Sequence, residues 1–122
     1  MSAKAIVRRA GRVTVVDLAG RIVLGDGSGV VRETIKNLVA SGQKEILLNM
    51  RDVTYLDSAG LGEIVGAYAT VSSQGGDVRL LHTQGKVKEL LTITKLYTVF
   101  LTYDNEATAL NAMSAGAGTA KA

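Results

Sequence analysis

The amino-acid sequence predicts one α/β domain: a mixed, mostly parallel sheet that starts with an antiparallel hairpin and carries about four helices. Three observations lead to this prediction. Two β-branched segments at the start of the chain flank a glycine turn. The remainder alternates short apolar segments with segments of helical period. In addition, 47% of the 122 residues are hydrophobic, which is enough for one core without disulfides.

The first part of the chain predicts a hairpin, a loop and a helix. Residues 5–9 and 13–18 are β-branched and apolar-rich, and Gly11 lies between them, where a tight turn needs positive φ. Residues 20–29 are rich in glycine and are interpreted as a loop, with Ser28 as a candidate cap for the helix that follows. One face of that helix carries Val31, Ile35, Leu38 and Val39.

Further along, apolar strands continue to alternate with helices. Residues 46–48 form an apolar run without polar alternation, typical of a strand covered on both faces. A helix is predicted from Ser58 to the turn at 74–77, followed by a strand at 78–81 and a helix from Gly85. The apolar faces of these two helices are Leu61, Ile64, Val65 and Tyr68 in the first and Val87, Leu90, Leu91 and Thr94 in the second.

The carboxyl-terminal part predicts a strand at 99–103 and a last helix, capped by Asn105, whose apolar residues are Ala109, Leu110 and Met113. Residues 114–122 are mostly glycine and alanine and have little to bury. The domain is therefore expected to span residues 1–113, with 114–122 as a disordered tail.

Composition excludes several classes of function. The chain has no cysteine, which rules out disulfides, thiolate metal sites and cysteine nucleophiles. No apolar run approaches the roughly 20 residues of a membrane-spanning helix, and the first residues lack the apolar stretch of a secretory signal. The net charge of +3 does not form a stripe, and aromatic residues are few, which argues against nucleic-acid binding. A cytoplasmic protein without membrane insertion is expected.

The segment Asp52–Glu63 links a buried strand to a helix and is the most informative part of the chain. It places the hydroxyl of Ser58 where the first N–H groups of the helix have no internal partner, and such an end attracts anions. A phosphate on Ser58 is expected to be partly stabilised there. The local pattern alone leaves open the alternative that Ser58 or Asp57 is only a helix cap.

This segment resembles the signature of the anti-sigma factor antagonist (anti-anti-sigma factor) family, the STAS domain. The match rests on the sequence DSAGLG at residues 57–62, which follows LNM at 48–50. Three further features resemble the family in the same order: the opening hairpin followed by GRI at 20–22, the glycine pair at 75–76 before a strand, and KLY at 95–97 before the last strand. The resemblance covers roughly residues 6–113.

The resemblance implies a non-enzymatic phosphoprotein that regulates transcription by partner switching in signal transduction. In this family the serine after the aspartate, here Ser58, is phosphorylated by a kinase that also serves as the anti-sigma factor. The unmodified antagonist binds that kinase and releases the sigma factor, the phosphorylated form dissociates, and a serine phosphatase resets it. The implied partner-binding residues are Asp26, Ser28, Asp57, Ala59, Gly60, Leu61, Gly62 and Glu63. The alternative is a STAS scaffold that recruits partners in a sensory or transport complex without phosphorylation.

Two positions depart from the family pattern. Many members carry an aspartate where this chain has Val23, although Asp26 follows three residues later. Either Asp26 substitutes for that acid or the partner differs. In the family a second serine or threonine is frequent at the position of Ala59. Because this chain has alanine there, Ser58 is the only hydroxyl in the short motif.

Other constellations favour structural interpretations, and neither a cofactor nor a metal is expected. The loop at 25–29 lacks the lysine and hydroxyl of a phosphate-binding loop. His82 is the only histidine and has no second imidazole or thiol to share a metal with it. A nucleophile elbow needs a glycine where Leu56 stands, which argues against a hydrolase, and a receiver domain needs more acids than Asp17 near the start of the chain.

Overall fold

The computed structural model describes residues 3–25 and 27–119, apart from the side chains of residues 28 and 115–119. Its strands are β1 (Lys4–Ala10), β2 (Val13–Ile22), β3 (Glu45–Leu56), β4 (Asp77–Leu81) and β5 (Thr102–Tyr103). Its α-helices are α1 (Ser28–Ala40), α2 (Ser58–Ser73), α3 (Gly85–Thr94) and α4 (Glu106–Thr119). A short 3-10 helix spans Leu96–Thr98.

The five strands form one sheet in the order β1-β2-β3-β4-β5. The β1–β2 pair is antiparallel, whereas β2–β3, β3–β4 and β4–β5 are parallel. The predicted fold class, a mixed and mostly parallel sheet with an opening hairpin, is confirmed. Because every parallel connection passes through a helix, helices α2 and α3 begin at the same edge of the sheet, where β3 and β4 end.

The sheet is covered on both faces, and adjacent residues of its inner strands serve different cores. Val16 and Leu48 pack into a core shared with α1, α2 and α3, while Val15 and Leu47 pack against α4 on the opposite face. All four side chains are at most 1% exposed. This explains the apolar run at 46–48, because a strand covered on both faces has no solvent side for polar residues.

Strand β3 spans Glu45–Leu56 and is much longer than the predicted run at 46–48, and three further element boundaries differ from the sequence predictions. Strand β2 continues through residues 20–22, which were expected to be a loop, because Arg21 and Ile22 pair with Tyr55 and Leu56 at the end of a long β3. Gly20 and Arg21 do not show the apolar pattern of a strand, so the sequence did not indicate this pairing. Helix α1 begins at Ser28, but its N-cap position belongs to Gly27, so the predicted Ser28 cap is wrong.

The third difference concerns the last strand, which was predicted at 99–103. The N–H groups of Val99 and Phe100 both donate to the carbonyl oxygen of Leu96, at 2.9 and 3.0 Å, and close a helical turn. That turn directs Phe100 into the core, where its ring packs edge-on against Tyr68 at a centroid distance of 5.3 Å. Only Thr102–Tyr103 then remains as strand.

Helix α4 is capped as predicted, since the Asn105 side chain accepts the Thr108 N–H at 2.9 Å. Met113 is 1% exposed and is the last buried side chain among those described. The backbone of α4 continues to Thr119, whereas residues 120–122 lie outside the described part of the chain. The domain end at 113 and the disordered tail stay predictions.

A charged network ties the hairpin to α4. Arg8 donates to Asp17 at 2.7 Å and to Glu106 at 2.7 Å, and Asn49 donates to the second oxygen of Asp17 at 2.8 Å. The hydrogen bonds from the Arg8 guanidinium hold the pKa values of both carboxyl groups below their ordinary values of 3.8 and 4.5. Both acids therefore stay ionised in the folded protein to a lower pH than in the unfolded chain.

We expect Arg8→Met to lower the free energy of unfolding at pH 7 by about 1 kcal/mol, a modest value because the ion pairs are partly exposed. Since the two pKa values are lowered by folding, the unfolded chain binds more protons near pH 4. The contribution is therefore present above the ordinary pKa values and is lost as the pH falls below them. Urea unfolding between pH 7 and pH 3 measures it.

The control for this experiment is Arg9→Met, because Arg9 is an exposed neighbour whose side chain, within the described part of the chain, donates only to the Gly11 carbonyl oxygen at 3.2 Å. Arg9→Met should keep the acid dependence of the wild type, and Arg8→Met should flatten it. Equal acid dependence in wild type and Arg8→Met would show that the network does not stabilise the fold.

Candidate functional site

Ser58 is the first residue of α2 and is exposed at the carboxyl edge of the sheet. It follows directly on Asp57, which ends the connection from the central strand β3. Among the described residues, the Ser58 hydroxyl has no hydrogen-bond partner. The hydroxyl is thus held on a rigid element and is available to another molecule.

Asp57 is the N-cap of α2 and uses both carboxylate oxygens inside the protein. One oxygen accepts the N–H of Gly60 at 2.8 Å, and the other accepts the N–H of Leu24 at 3.1 Å. A single side chain therefore joins the start of α2 to the segment that follows β2. It also occupies the Gly60 N–H, one of the helix-end groups that the sequence interpretation assigned to a phosphate.

The charge of Asp57 is stabilised by these donors. The Gly60 N–H, and after it the Leu24 N–H, lower the pKa of the Asp57 carboxyl below its ordinary value of 3.8. Asp57 is accordingly an anion at neutral pH, next to the Ser58 hydroxyl.

Two glycines allow the helices to approach the end of β2. A Cβ at position 60 would collide with the carbonyl oxygen of Ile22 and would lie 2.8 Å from a methyl carbon of Leu56. A Cβ at Gly27 would collide with the carbonyl oxygen of Arg21, and the φ of Gly27 is +97°. Successive carbonyl groups of one strand end thus contact the starts of α2 and α1.

The remaining residues of the motif divide into buried and exposed positions. Leu61 is 5% exposed and belongs to the core, while Ala59 is half-buried. Gly62 is exposed, and a Cβ there would meet no atom within 4 Å. Glu63 forms an ion pair with Arg32 at 2.8 Å and so links α2 to α1. The sequence did not indicate this pair, because its members are 31 positions apart.

The loop after β2 contains a residue that the sequence reasoning missed. Val23, which stands where many family members carry an acid, is only 8% exposed, whereas Leu24 is 78% exposed. An apolar residue inside a glycine-rich loop was the available signal. Asp26 and the side chain of Ser28 lie outside the described residues, and the predicted partner role of both stays a prediction.

Tyr55 is the second feature that the sequence reasoning missed. Its ring is 40% exposed and has two cations over it, with the Arg21 guanidinium carbon 5.5 Å and the Lys86 ammonium 5.6 Å from the ring centroid. Arg21 is the register partner of Tyr55 across β2 and β3, and Lys86 comes from the first turn of α3. Only the tertiary fold brings these three residues together.

The other residues that the sequence offered as candidates for a metal site or a partner surface belong to the scaffold of the fold. His82 is half-buried at a φ of 59°, and its backbone N–H donates to the Tyr103 carbonyl oxygen at 2.8 Å. Leu61 and Ile64 are buried, and Tyr68 packs against the same core. The apolar face of α2 therefore packs in the core, as its helical spacing predicted. Within residues 3–25 and 27–119, no three His, Cys, Asp or Glu side chains group to hold a metal.

Comparison with protein families decides the assignment, since residues 4–109 match the STAS domain. The chain belongs to the STAS domain family. It is 32% identical over 84 residues to the anti-sigma F factor antagonist of Paenibacillus polymyxa, an alignment that covers 68% of this chain and 72% of that one. It is 35% identical over 81 residues to the anti-sigma-B factor antagonist of Bacillus subtilis, with 66% and 72% covered.

Solved structures agree with this fold. An anti-sigma factor antagonist from Mycobacterium paratuberculosis superimposes with a TM-score of 0.81 at 21% identity, covering 93% of this STAS domain and 95% of that chain. The Bacillus cell fate determinant SpoIIAA in its phosphorylated form gives a TM-score of 0.70 at 18% identity, covering 88% and 97%. In the part of this STAS domain that the structure describes, no helix has the length and apolar character to cross a bilayer.

The contact between α2 and the end of β2 predicts opposite effects for two glycines of the motif. Gly60→Ala should destabilise the protein by about 2 kcal/mol or more, because the added Cβ meets backbone that cannot move without disturbing the sheet. Gly62→Ala has free space and should stabilise by up to about 1 kcal/mol through helix propensity. Urea unfolding checks both, and a Gly60→Ala protein as stable as the wild type would contradict the contact.

The hydrogen bonds of Asp57 predict a local effect on hydrogen exchange. In Asp57→Ala, the amides of Gly60 and Leu24 should exchange several-fold faster, because each loses its acceptor. Amides in the middle of β3 should keep their protection. The carboxyl pKa of Asp57, followed by NMR in the wild type, should lie below 3.8. Unchanged exchange at Leu24 would rule out its bond to the carboxylate.

Proposed function

We propose that this STAS domain is a cytoplasmic anti-sigma factor antagonist, whose binding to a kinase anti-sigma factor is switched off by phosphorylation of Ser58. The observation that carries the proposal is the division of roles between two adjacent residues. Both carboxylate oxygens of Asp57 accept structural hydrogen bonds, while Ser58 is exposed. The names of the relatives from Paenibacillus polymyxa and Bacillus subtilis support the same assignment.

In the proposed cycle, the unmodified protein binds the kinase and frees the sigma factor for transcription. The Ser58 oxygen then takes the terminal phosphoryl group of ATP bound to the kinase, loses its proton and releases ADP. A serine phosphatase hydrolyses the phosphate and restores the binding form. The chain itself supplies the acceptor and the binding surface but no catalytic group.

Electrostatics explains how the modification ends binding without a change of fold. Phosphate adds about −1.5 to −2 charges beside Asp57, which is already ionised. The Gly60 N–H cannot neutralise this new charge, because it already donates to Asp57. The negative charge of the phosphate therefore acts on the bound partner. A hundredfold loss of affinity for that partner requires only about 2.7 kcal/mol.

The proposed binding surface contains two kinds of residue. Ser58, Gly62 and Glu63 have surface available for contact, as does the half-buried Ala59. Asp57, Gly60 and Leu61 act by shaping the start of α2, since Asp57 is hydrogen-bonded inside the protein and the other two are buried. Asp26 and Ser28 are also predicted to contribute to this surface, and Ser28 is the first residue of α1.

We expect wild-type protein incubated with its cognate kinase and ATP to incorporate one phosphate, and Ser58→Ala to incorporate none. Ser72→Ala is the matched control, because Ser72 is an exposed serine at the other end of α2. Ser58→Asp should bind the kinase roughly a hundredfold more weakly than wild type, while the neutral Ser58→Asn stays within about threefold. Calorimetry measures these affinities.

Two results separate the alternatives. If wild type binds its partner but takes no phosphate, the protein acts as a scaffold and the switch is wrong. If Ser58→Asp binds as tightly as Ser58→Asn, negative charge at this position does not control the complex.

A further inference from the structure

We infer that Tyr55, Arg21 and Lys86 form an anion-binding platform, which binds a carboxylate side chain of the protein that covers Ser58. This inference rests on the proposed function and adds the chemistry of the partner. The platform is defined here as the exposed Tyr55 ring with the two cations over it. None of its three residues belongs to the predicted site.

Two like charges converge on the ring of Tyr55. Arg21 and Lys86 lie 5.5 and 5.6 Å from the same centroid, so their charged groups are at most about 11 Å apart. The face of a tyrosine ring attracts each cation but carries no net charge to compensate them. An anion placed between the two groups is attracted by both.

The described part of the chain neutralises only part of this positive charge. Lys86 has an exposed ion pair with Glu89 at 3.5 Å, within the same helix. Arg21 pairs with no carboxylate among the described residues. The carboxylate of Asp57 is engaged with Gly60 and Leu24. The guanidinium group of Arg21 has a planar set of donors that suits bidentate binding of a carboxylate, and no carboxylate of the described residues takes it.

The platform lies close to Ser58. Tyr55 and Ser58 are three residues apart, and three residues of extended chain span at most about 11 Å. A protein interface of ordinary size covers about 800 Å² on each partner, so a protein seated on Ser58 extends over the platform as well. Leu24, which is 78% exposed, offers an apolar contact on the same edge of the sheet. The partner that fits is therefore acidic opposite Tyr55 and apolar opposite Leu24.

The test is the affinity of the unphosphorylated protein for its kinase anti-sigma factor, measured by calorimetry at low and high salt. The double variant Arg21→Gln/Lys86→Gln should bind about tenfold more weakly, with a smaller dependence on salt. The control, Arg12→Gln/Lys88→Gln, removes the same net charge from exposed positions outside the platform and should stay within about twofold. Circular dichroism verifies that both variants are folded.

A charge-reversal experiment identifies the contacting group. Arg21→Glu should bind more weakly than Arg21→Gln, and replacing the contacting acid of the partner by lysine should restore binding to Arg21→Glu. The platform is supported if lysine at the contacting acid of the partner restores binding to Arg21→Glu and lysine at another acid of the partner does not.

Failure of the platform and failure of the proposed function give different results. If Ser58→Asp weakens binding and the double variant binds like wild type, the platform is wrong and the switch stands. If the double variant binds normally but no longer responds to phosphorylation, the cations bind phosphoserine 58 instead, which also overturns the platform. If wild type neither binds a kinase anti-sigma factor nor accepts phosphate, both proposals fail together.

Discussion

The contact between the first turn of α2 and the last residues of β2 determines the rest of the site. Gly60 lies so close to the Ile22 carbonyl oxygen that no larger residue fits, and Asp57 holds both sides of this contact through the N–H groups of Gly60 and Leu24. Strand β2 is an inner strand, paired on one side with β1 and on the other with β3. Because the start of α2 is fixed to an inner strand of the sheet, it is rigid, and Ser58 is held at a fixed position.

This rigidity sets the kind of switch that the site supports. A loop that becomes ordered on phosphorylation needs free donors for the new oxygens, whereas here the Gly60 N–H is already occupied by Asp57. The ion pair between Arg32 and Glu63 adds a link between α1 and α2. A change of charge on a fixed surface is the route that we propose. Such a change alters affinity directly and requires no second conformation of the domain.

The sequence predicted the elements whose pattern is local and missed the contacts that join distant segments. The hairpin, the double-sided strand at 46–48 and the Asn105 cap each depend on neighbouring residues, and all three were predicted. The end of β2 was missed because its pairing partner, Leu56, lies 34 positions further along the chain, and period-2 alternation is absent there. Position 58 was predicted from a motif, whereas Leu24 and Tyr55 became visible only when the fold placed them at the same edge.

The two glycines of the motif illustrate how function and folding separate within one helix. Gly60 is needed by the chain itself, since the Ile22 carbonyl group excludes a side chain. Gly62 is exposed with free space around it, although glycine inside a helix costs about 1 kcal/mol relative to alanine. Internal packing gives no reason for this cost. The proposed binding of a partner next to Ser58 would give one, because a Cβ at position 62 would hold the backbone of that partner away from the helix.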